Sequence, residues 1–331
     1  MKKNYKLFFI IATILLVIMV FVSIGLGRYS MNPTAFLNGL FHPTKSSTSM
    51  LVLWKVRIPR IVMAILIGSG LAVSGATLQA IFGNPLVSEH ILGVSSGAGF
   101  GAAFGILFIG STLGIQISSI IFGLLSMAIA CMIAKKNGSI SVLMLVLSGI
   151  IVSSVFSSGI SLLQYFADPD NQLPTIVFWL MGGLSKVTVS TVIRTAPIIL
   201  TSIFILYKIR WQLNIASLNE EEAISLGVNI KRIRLLSIVL ATTITATSVA
   251  ACGMITFVGL VIPHFTRMLI GNNNKILLPG AMLLGAIFLL VVDNFARTIT
   301  SAEIPLSILT SIVGAPFFAY LLHKTGGVWN D

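Results

Sequence analysis

Long apolar runs without a charged residue dominate this sequence of 331 residues. The stretch from His90 to Ala134, for example, contains no Asp, Glu, Lys or Arg. A helix needs about 20 mostly apolar residues to cross a hydrocarbon core of roughly 30 Å. Only 9% of the residues are charged, whereas soluble domains carry about 25%. The sequence therefore predicts a polytopic membrane protein and excludes an ordinary soluble enzyme.

The segments between charged residues give ten candidate transmembrane helices. They are predicted at residues 7–27, 61–82, 92–110, 112–134, 140–166, 187–207, 235–252, 254–270, 276–296 and 304–323. The uncharged run 235–266 is too long for one helix and short for two, and it is interrupted at Gly253, Gly259 and Pro263. Transporters place such broken segments near their pathway, so we expect two short or bent helices there. The predicted fold class is an all-α membrane bundle of about ten helices, with nine or eleven as alternatives, forming one domain over residues 1–331.

The distribution of cations predicts the orientation in the membrane. Cytoplasmic loops carry an excess of Lys and Arg. Placing Lys2, Lys3 and Lys6 in the cytoplasm puts 13 of the 21 Lys and Arg residues inside, and ten spans return the C-terminus to the cytoplasm. The apolar stretch after Lys6 is longer than a signal-peptide core, which favours a retained first helix. We expect a multi-pass protein of the inner or plasma membrane that contacts lipid and binds no nucleic acid.

Sequence motifs for chemistry are absent. No G-x-x-x-x-G-K-[ST] loop for ATP phosphates occurs, and no His, Cys, Asp or Glu cluster has metal-ligand spacing. An ion-coupled carrier usually needs ionisable groups inside the membrane. Asp293 is the only acid well inside a candidate span, and Arg297 follows one helical turn later. We therefore predict a transporter subunit that is not an enzyme, holds no metal or cofactor, and takes its energy from a partner.

A glycine series in the third candidate span predicts close helix packing. Glycines spaced four residues apart lie on one face of a helix and let a neighbouring backbone approach in lipid. The series consists of Gly93, Gly97, Gly101 and Gly105. Packing inside one subunit is favoured over a pore-lining role.

Three stretches carry a family resemblance. The first is Arg57-Ile-Pro-Arg60 followed by 70–79 and by Gly83-Asn-Pro-Leu86. The second is 213–234, and the third is 253–267, followed by Asp293 to Arg297 and by Glu303-Ile-Pro305. Together they resemble the FecCD-type permeases of ABC importers for ferric siderophores, haem and vitamin B12. Two departures are Gly83, where the family often has Arg, and Ser88-Glu89, near which it often has Pro.

The resemblance implies an assembly as well as a fold. Its expected partners are a second permease subunit, either an identical copy or a paralogue, two cytoplasmic ATPase subunits and an external substrate-binding protein. The implied cargo is most simply a ferric siderophore, with haem or vitamin B12 as alternatives. An ion-coupled secondary transporter is the alternative from a different class, and a membrane-embedded enzyme lacks any supporting constellation.

The resemblance also assigns roles to three outer arginines, Arg57, Arg60 and Arg297. Matching arginines in the family receive acidic side chains of the binding protein. The spacing of Arg57 and Arg60 puts both on one helix face, with Pro59 in the first turn of the second span. The alternative is that these side chains only reach toward the membrane interface, and Asp293 could occupy Arg297.

The polar segment 209–234, here called the coupling segment, is predicted to be cytoplasmic and to dock the ATPase. Its acids should open a short helix that a glycine ends, although a solvated connector is the alternative. The candidate contact residues are Glu220, Glu222, Ala223, Leu226 and Gly227.

Two further predictions concern the cytoplasmic side. By analogy with the family, the gate is expected near the turn 136–141, with Ser139 and Ser141 as candidates. Pro263, His264 and Arg267 are expected to end a helix and to reach toward the interface.

Overall fold

The computed structural model describes residues 5–27, 48–90, 92–136, 139–140, 142–216, 225–300 and 302–325. The helices are α1 (Tyr5–Gly25), α2 (Thr48–Val52), α3 (Ile58–Phe82), α4 (Val94–Phe108), α5 (Thr112–Ala134), α6 (Val142–Phe166), α7 (Gln172–Leu180), α8 (Val189–Lys208), α9 (Gln212–Ile215), α10 (Ile230–Cys252), α11 (Val258–Ile270), α12 (Asn274–Thr298) and α13 (Leu306–Thr325). A π-helical turn, Leu53–Arg57, joins α2 to α3. Two short strands, β1 (Lys135–Lys136) and β2 (Ser139–Ile140), pair antiparallel.

The predicted all-α membrane bundle is confirmed. Within the described residues, seven helices are long and apolar enough to cross a membrane, and three shorter apolar helices accompany them. These ten correspond one to one with the ten candidate spans. The ends differ by a few residues, because α3 begins at Ile58 and α10 at Ile230, earlier than the hydropathy pattern indicates. The sequence analysis missed the nine-residue helix α7, which is too short to cross a membrane.

Helix α3 lies at the centre of the bundle. It packs against α8, α10, α11 and α12, and nearly all of its residues are buried. Small residues make this possible, since a methyl group added at Gly68 would overlap the Gly285 carbonyl of α12. A methyl group at Gly75 would overlap the Gly259 carbonyl of α11. Because lipid tails are as apolar as the side chains, the hydrophobic effect does not drive helices together in lipid, and they associate through such close backbone approach.

The glycine series of the third span lies against α5. Gly93 is the residue before α4 and has φ 85°, a left-handed conformation that glycine adopts without strain. Gly97, Gly101 and Gly105 face α5, where an added methyl group would meet Ser126, the Ser118 carbonyl or Ile115. Gly97, Gly101 and Gly105 therefore set the separation of α4 and α5, whereas Gly93 faces Gly149 and Ser153 of α6.

The uncharged run 235–266 contains one interruption between helices, at residues 253–257. Helix α10 ends at Cys252, and Gly253 and Phe257 both have positive φ before α11 begins. Two helices were expected here, each short or bent, and two are present: α11, with 13 residues, is short, whereas α10 has 23 residues. Gly259 and Pro263 lie inside α11 and do not interrupt it.

Pro263 does not end its helix, contrary to expectation, because the chain compensates for the missing N–H. Proline cannot donate to the carbonyl four residues earlier. The Gln79 side chain of α3 instead donates to the Gly259 and Leu260 carbonyls at 3.4 Å each. Arg267 donates to the Gln79 side-chain oxygen, so its head group is held within the bundle. Helix α11 continues to Ile270, after which Gly271 has φ 94°.

Candidate functional site

An ionic cluster lies at the end of the bundle where α3 begins and α12 ends. Arg60 is its centre. Its Nε lies 2.9 and 3.1 Å from the two carboxylate oxygens of Asp293, and its Nη1 lies 2.9 and 3.0 Å from those of Glu303. Nη2 of Arg60 also lies 2.8 Å from Asp293, so two guanidinium nitrogens hold this acid in the fork-like geometry of a strong Arg–carboxylate pair, whereas Glu303 contacts Nη1 alone. Asp293 is fully buried, whereas the Glu303 side chain is 32% exposed.

The other two outer arginines connect the cluster to α1. Arg297 lies 3.6 Å from Asp293, one turn away on α12, and donates to the Leu26 and Ser23 carbonyls at 2.8 and 2.7 Å. Arg57 donates to the Ile24 carbonyl. The carbonyls at a helix C-terminus carry partial negative charge, so both guanidinium groups stabilise the end of α1.

All three outer arginines are buried in the chain, with relative exposures of 3% to 6%. From the sequence, Asp293 was expected to pair with Arg297 alone. In the structure, the shorter contacts of Asp293 are those with Arg60. Glu303, which the sequence analysis did not select, completes the cluster. The docking role of Arg57, Arg60 and Arg297 stays a prediction, and a docking acid would meet guanidinium groups that already have partners.

A cavity of about 660 Å³ opens beside this cluster. It lies between α7, the segment 182–188, the first turns of α5 and α8, and the segment 303–306. Lys186 and Arg194 line it together with Arg60 and Glu303. Lys186 and Arg194 were not predicted as site residues, since nothing in their spacing brings them into one cavity.

The described part of the coupling segment lies at the end of α8 that is opposite to the cavity. Leu213 and Ile215 are buried and anchor its first half. Asn214 fastens it to the turn before α12, donating to the Asn273 side chain at 3.1 Å and accepting from the Asn274 backbone at 2.8 Å. This end of the segment is therefore a fixed part of the bundle.

The second half of the coupling segment ends in a glycine turn. Gly227 has φ 74°, and the Asn229 side chain then accepts from the Arg232 backbone to begin α10. Leu226 is 54% exposed, which leaves an apolar side chain outside the bundle. Glu220, Glu222 and Ala223 lie outside the described residues.

The turn between α5 and α6 contains the gate candidates. It is a two-residue strand pair in which Lys136 faces Ser139. Only the backbone of Ser139 is described, and Ser141 lies outside the described residues. Their gate role stays a prediction.

Glu89 is a buried acid that the sequence analysis did not select. It lies in the connection between α3 and α4, and its carboxylate faces Gly259 in the first turn of α11. Burial raises the pKa of the Glu89 carboxyl to about 7, and burial lowers the pKa of the neighbouring His90. One Glu89 oxygen has no hydrogen-bond partner among the described residues. Within the same residues, no group of three or more His, Cys, Asp or Glu side chains could hold a metal ion.

Comparison with known families gives one match that covers most of the chain. The model of the FecCD transport family matches residues 15–324. This range contains both the ionic cluster and the coupling segment.

Individual relatives with different named cargoes are similar over nearly their whole length. The molybdate import system permease protein MolB of Haemophilus influenzae is 44% identical over 317 residues, which cover 94% of each chain. The hemin transport system permease protein HmuU of Yersinia pestis is 35% identical and covers 94% of this chain and 93% of its own. The Fe(3+)-citrate import system permease protein YfmE of Bacillus subtilis is 34% identical and covers 97% and 96%.

A solved structure supports the same fold. It is described as an inward-facing conformation of a proposed metal-chelate type ABC transporter. The two chains are 43% identical, with a TM-score of 0.87 over 96% of this chain and 99% of that one.

Proposed function

The chain belongs to the FecCD transport family of ABC importer permeases, and from this premise we propose that it moves an anionic metal compound into the cell, driven by ATP on a partner. The observation that carries the proposal is the family match over 15–324 on a bundle of ten apolar helices. Because the sequence has no phosphate-binding P-loop, ATP hydrolysis is assigned to separate cytoplasmic subunits.

The proposed cargo is an oxyanion of the molybdate class. The named molybdate permease is 44% identical, against 35% and 34% for the haemin and ferric citrate permeases described above. The ferric siderophore indicated by the sequence resemblance is the second candidate. Ferric citrate and many other ferric chelates are also anions, so the cationic cavity is compatible with both.

Binding-protein docking is proposed for the end of the bundle that carries the ionic cluster. In the orientation predicted from the cations, this end faces outward. Glu303 is the exposed edge of the cluster. A docking acid would exchange places with Glu303 on Arg60, which makes docking sensitive to salt because charge pairs at a protein surface are screened.

ATPase docking is proposed for the coupling segment. Its anchored first half and the exposed Leu226 support this role, because a rigid element with an apolar contact can transmit motion where a loose loop cannot. We expect Gly227→Pro, or Glu222→Arg, to leave the permease folded and inserted while reducing ATPase co-purification or uncoupling hydrolysis from uptake. Gly83→Pro is the matched control and should leave ATPase binding and coupling unchanged. Gly83 also has a positive φ and open space around it, but it lies at the end of α3, outside the coupling segment. Normal ATPase binding and transport in both coupling-segment variants would disprove the assignment.

The transport proposal is tested by reconstitution. The permease, its cognate ATPase and its binding protein are placed in proteoliposomes, and uptake of ⁹⁹Mo-molybdate is compared with uptake of a ⁵⁵Fe-siderophore. We expect molybdate uptake that requires ATP and persists when ionophores collapse the ion gradients. Uptake that follows an ion gradient without ATP would support a secondary transporter and contradict the proposal. ATP-dependent uptake of the iron compound alone would replace the cargo and keep the mechanism.

A further inference from the structure

The cavity beside the ionic cluster, here called the outer cavity, contains two cations that no acid neutralises in the described part of the chain. Its charged lining residues are Arg60, Glu303, Lys186 and Arg194. Arg60 and Glu303 neutralise each other as part of the ionic cluster. Lys186 and Arg194 form no ion pair with a described residue. The cavity therefore has two uncompensated positive charges.

Arg194 is held in place by neutral groups and keeps donors free for a further acceptor. Its guanidinium bonds the Gln116 side-chain oxygen at 3.3 Å and the Ser190 hydroxyl at 3.2 Å. Gln116 is 8% exposed and holds its position from the neighbouring helix α5. A guanidinium carries five N–H donors in a planar fork, and two long bonds to neutral oxygens leave most of this capacity unused.

Hydroxyl groups at the start of α8 also line the cavity. Thr188, Ser190 and Thr191 occupy the first turn of α8, with the Thr188 oxygen 2.9 and 3.0 Å from the other two hydroxyls. The positive end of the helix dipole adds to the field of Lys186 and Arg194 at this point. This donor set suits an anion with several acceptor oxygens.

The cavity lining also contains apolar residues, with Ile115, Phe178 and Trp179 among them. Charge interactions are stronger beside such residues than in open water. The volume of about 660 Å³ falls within the range of ligand sites in proteins and admits a small oxyanion with its water.

We propose that this cavity is an oxyanion-binding site that receives cargo of the molybdate class on the permease itself. Arg194 binds two oxygens of the anion through its fork, Lys186 supplies a second positive charge, and the hydroxyls of α8 donate to the remaining oxygens. The inference rests on the proposed function, since the anion is the transported cargo. A carboxylate of a docked binding protein offers the same chemistry from another source, and the experiment separates the two.

The test measures anion binding without the binding protein. Purified permease–ATPase complex is dialysed to equilibrium against ⁹⁹Mo-molybdate. We expect saturable binding that Lys186→Gln and Arg194→Gln each weaken about tenfold or more, because each removes a charged hydrogen-bonding partner. Arg194→Lys should fall between, since it keeps the charge and loses the fork. Lys55→Gln is the matched control: Lys55 is an exposed cation at the same end of the bundle but outside the cavity lining, so it should bind as wild type.

The outcomes distinguish the inference from the proposed function. No saturable binding to wild type, or wild-type affinity in both cavity variants, would overturn the oxyanion site even if the reconstituted importer transports molybdate. If the cavity variants bind molybdate as wild type does but associate more weakly with the cargo-free binding protein, the cavity binds a carboxylate of that protein. This result would also overturn the oxyanion site. Failure of ATP-dependent uptake of every cargo tested concerns the proposed function, whatever the dialysis shows.

Discussion

Removing the charge of Asp293 is the sharpest test of the ionic cluster. Asp293→Asn keeps the shape of the side chain but removes the one fully buried acid that contacts both Arg60 and Arg297. After the change, Glu303 is the only acid left on Arg60 among the described residues, and its side chain is 32% exposed. Arg297 keeps the carbonyls of Leu26 and Ser23 but loses its acid.

The expected cost follows from these contacts. Breaking a buried ion pair by removing one partner costs about 3–5 kcal/mol, because a buried charge is left uncompensated. Arg60 retains Glu303, and the Arg297 pair is long at 3.6 Å, so the lower part of this range applies. We expect Asp293→Asn to reduce the free energy of unfolding by about 3 kcal/mol.

The assay is a double-mutant cycle on purified permease unfolded in denaturing detergent. Arg60→Gln, Asp293→Asn and the double variant are compared with wild type. The double variant should lose at least about 1 kcal/mol less than the sum of the single variants, since residues in one ion-pair network couple. Asp170→Asn, at an exposed acid outside the cluster, is the control and should change stability by no more than about 0.5 kcal/mol. Additive effects, or wild-type stability of Asp293→Asn, would refute the view that the cluster holds α3 to α12.

Three further changes have defined expectations. Because burial raises the pKa of Glu89 from 4.5 to about 7, ionisation opposes folding as pH rises through this interval. Glu89→Gln should therefore stabilise the protein by about 3 kcal/mol at pH 8 and little at pH 5, and equal effects in thermal unfolding at both pH values would contradict this. Gly75→Ala should lower stability by about 1–3 kcal/mol by pressing on the α11 backbone, whereas Gly25→Ala, which has open space, should match wild type when melting temperatures are compared. Arg57→Glu should weaken binding-protein association at low salt, measured as an association rate, and an unchanged rate would count against docking at this end.

The sequence predicts the helices well because their signal is local. Apolar length between charges gives the ten spans, and Gly253 marks the break between α10 and α11. The positions of helix ends are less predictable, because α3 and α10 continue through charged residues that the folded bundle accommodates. Arg60, in the first turn of α3, forms an ion pair with Asp293, and Arg57, just before α3, donates to the Ile24 carbonyl.

The ionic cluster shows why tertiary pairing is not predictable from spacing. Asp293 and Arg297 are one turn apart, and the sequence suggests their pairing. The shorter contact from Asp293 runs to Arg60, which is 233 residues away in the chain. Glu89 was missed for the same reason, since it lies between two candidate spans and is buried only when its connection folds against α11.

Helix α8 connects the two candidate sites of the molecule. Its first turns carry Ser190, Thr191 and Arg194 of the outer cavity, and its last residue, Lys208, leads directly into the coupling segment. Its 20 residues span about 30 Å, the thickness of a hydrocarbon core. Pro197, which removes one backbone hydrogen bond close to the cavity end, is the point at which this helix bends most easily. A displacement of the coupling segment would therefore move one end of α8, and the other end carries Arg194, one of the two uncompensated cations of the cavity. The same helix is thus placed to transmit motion from the proposed ATPase contact to the proposed anion site.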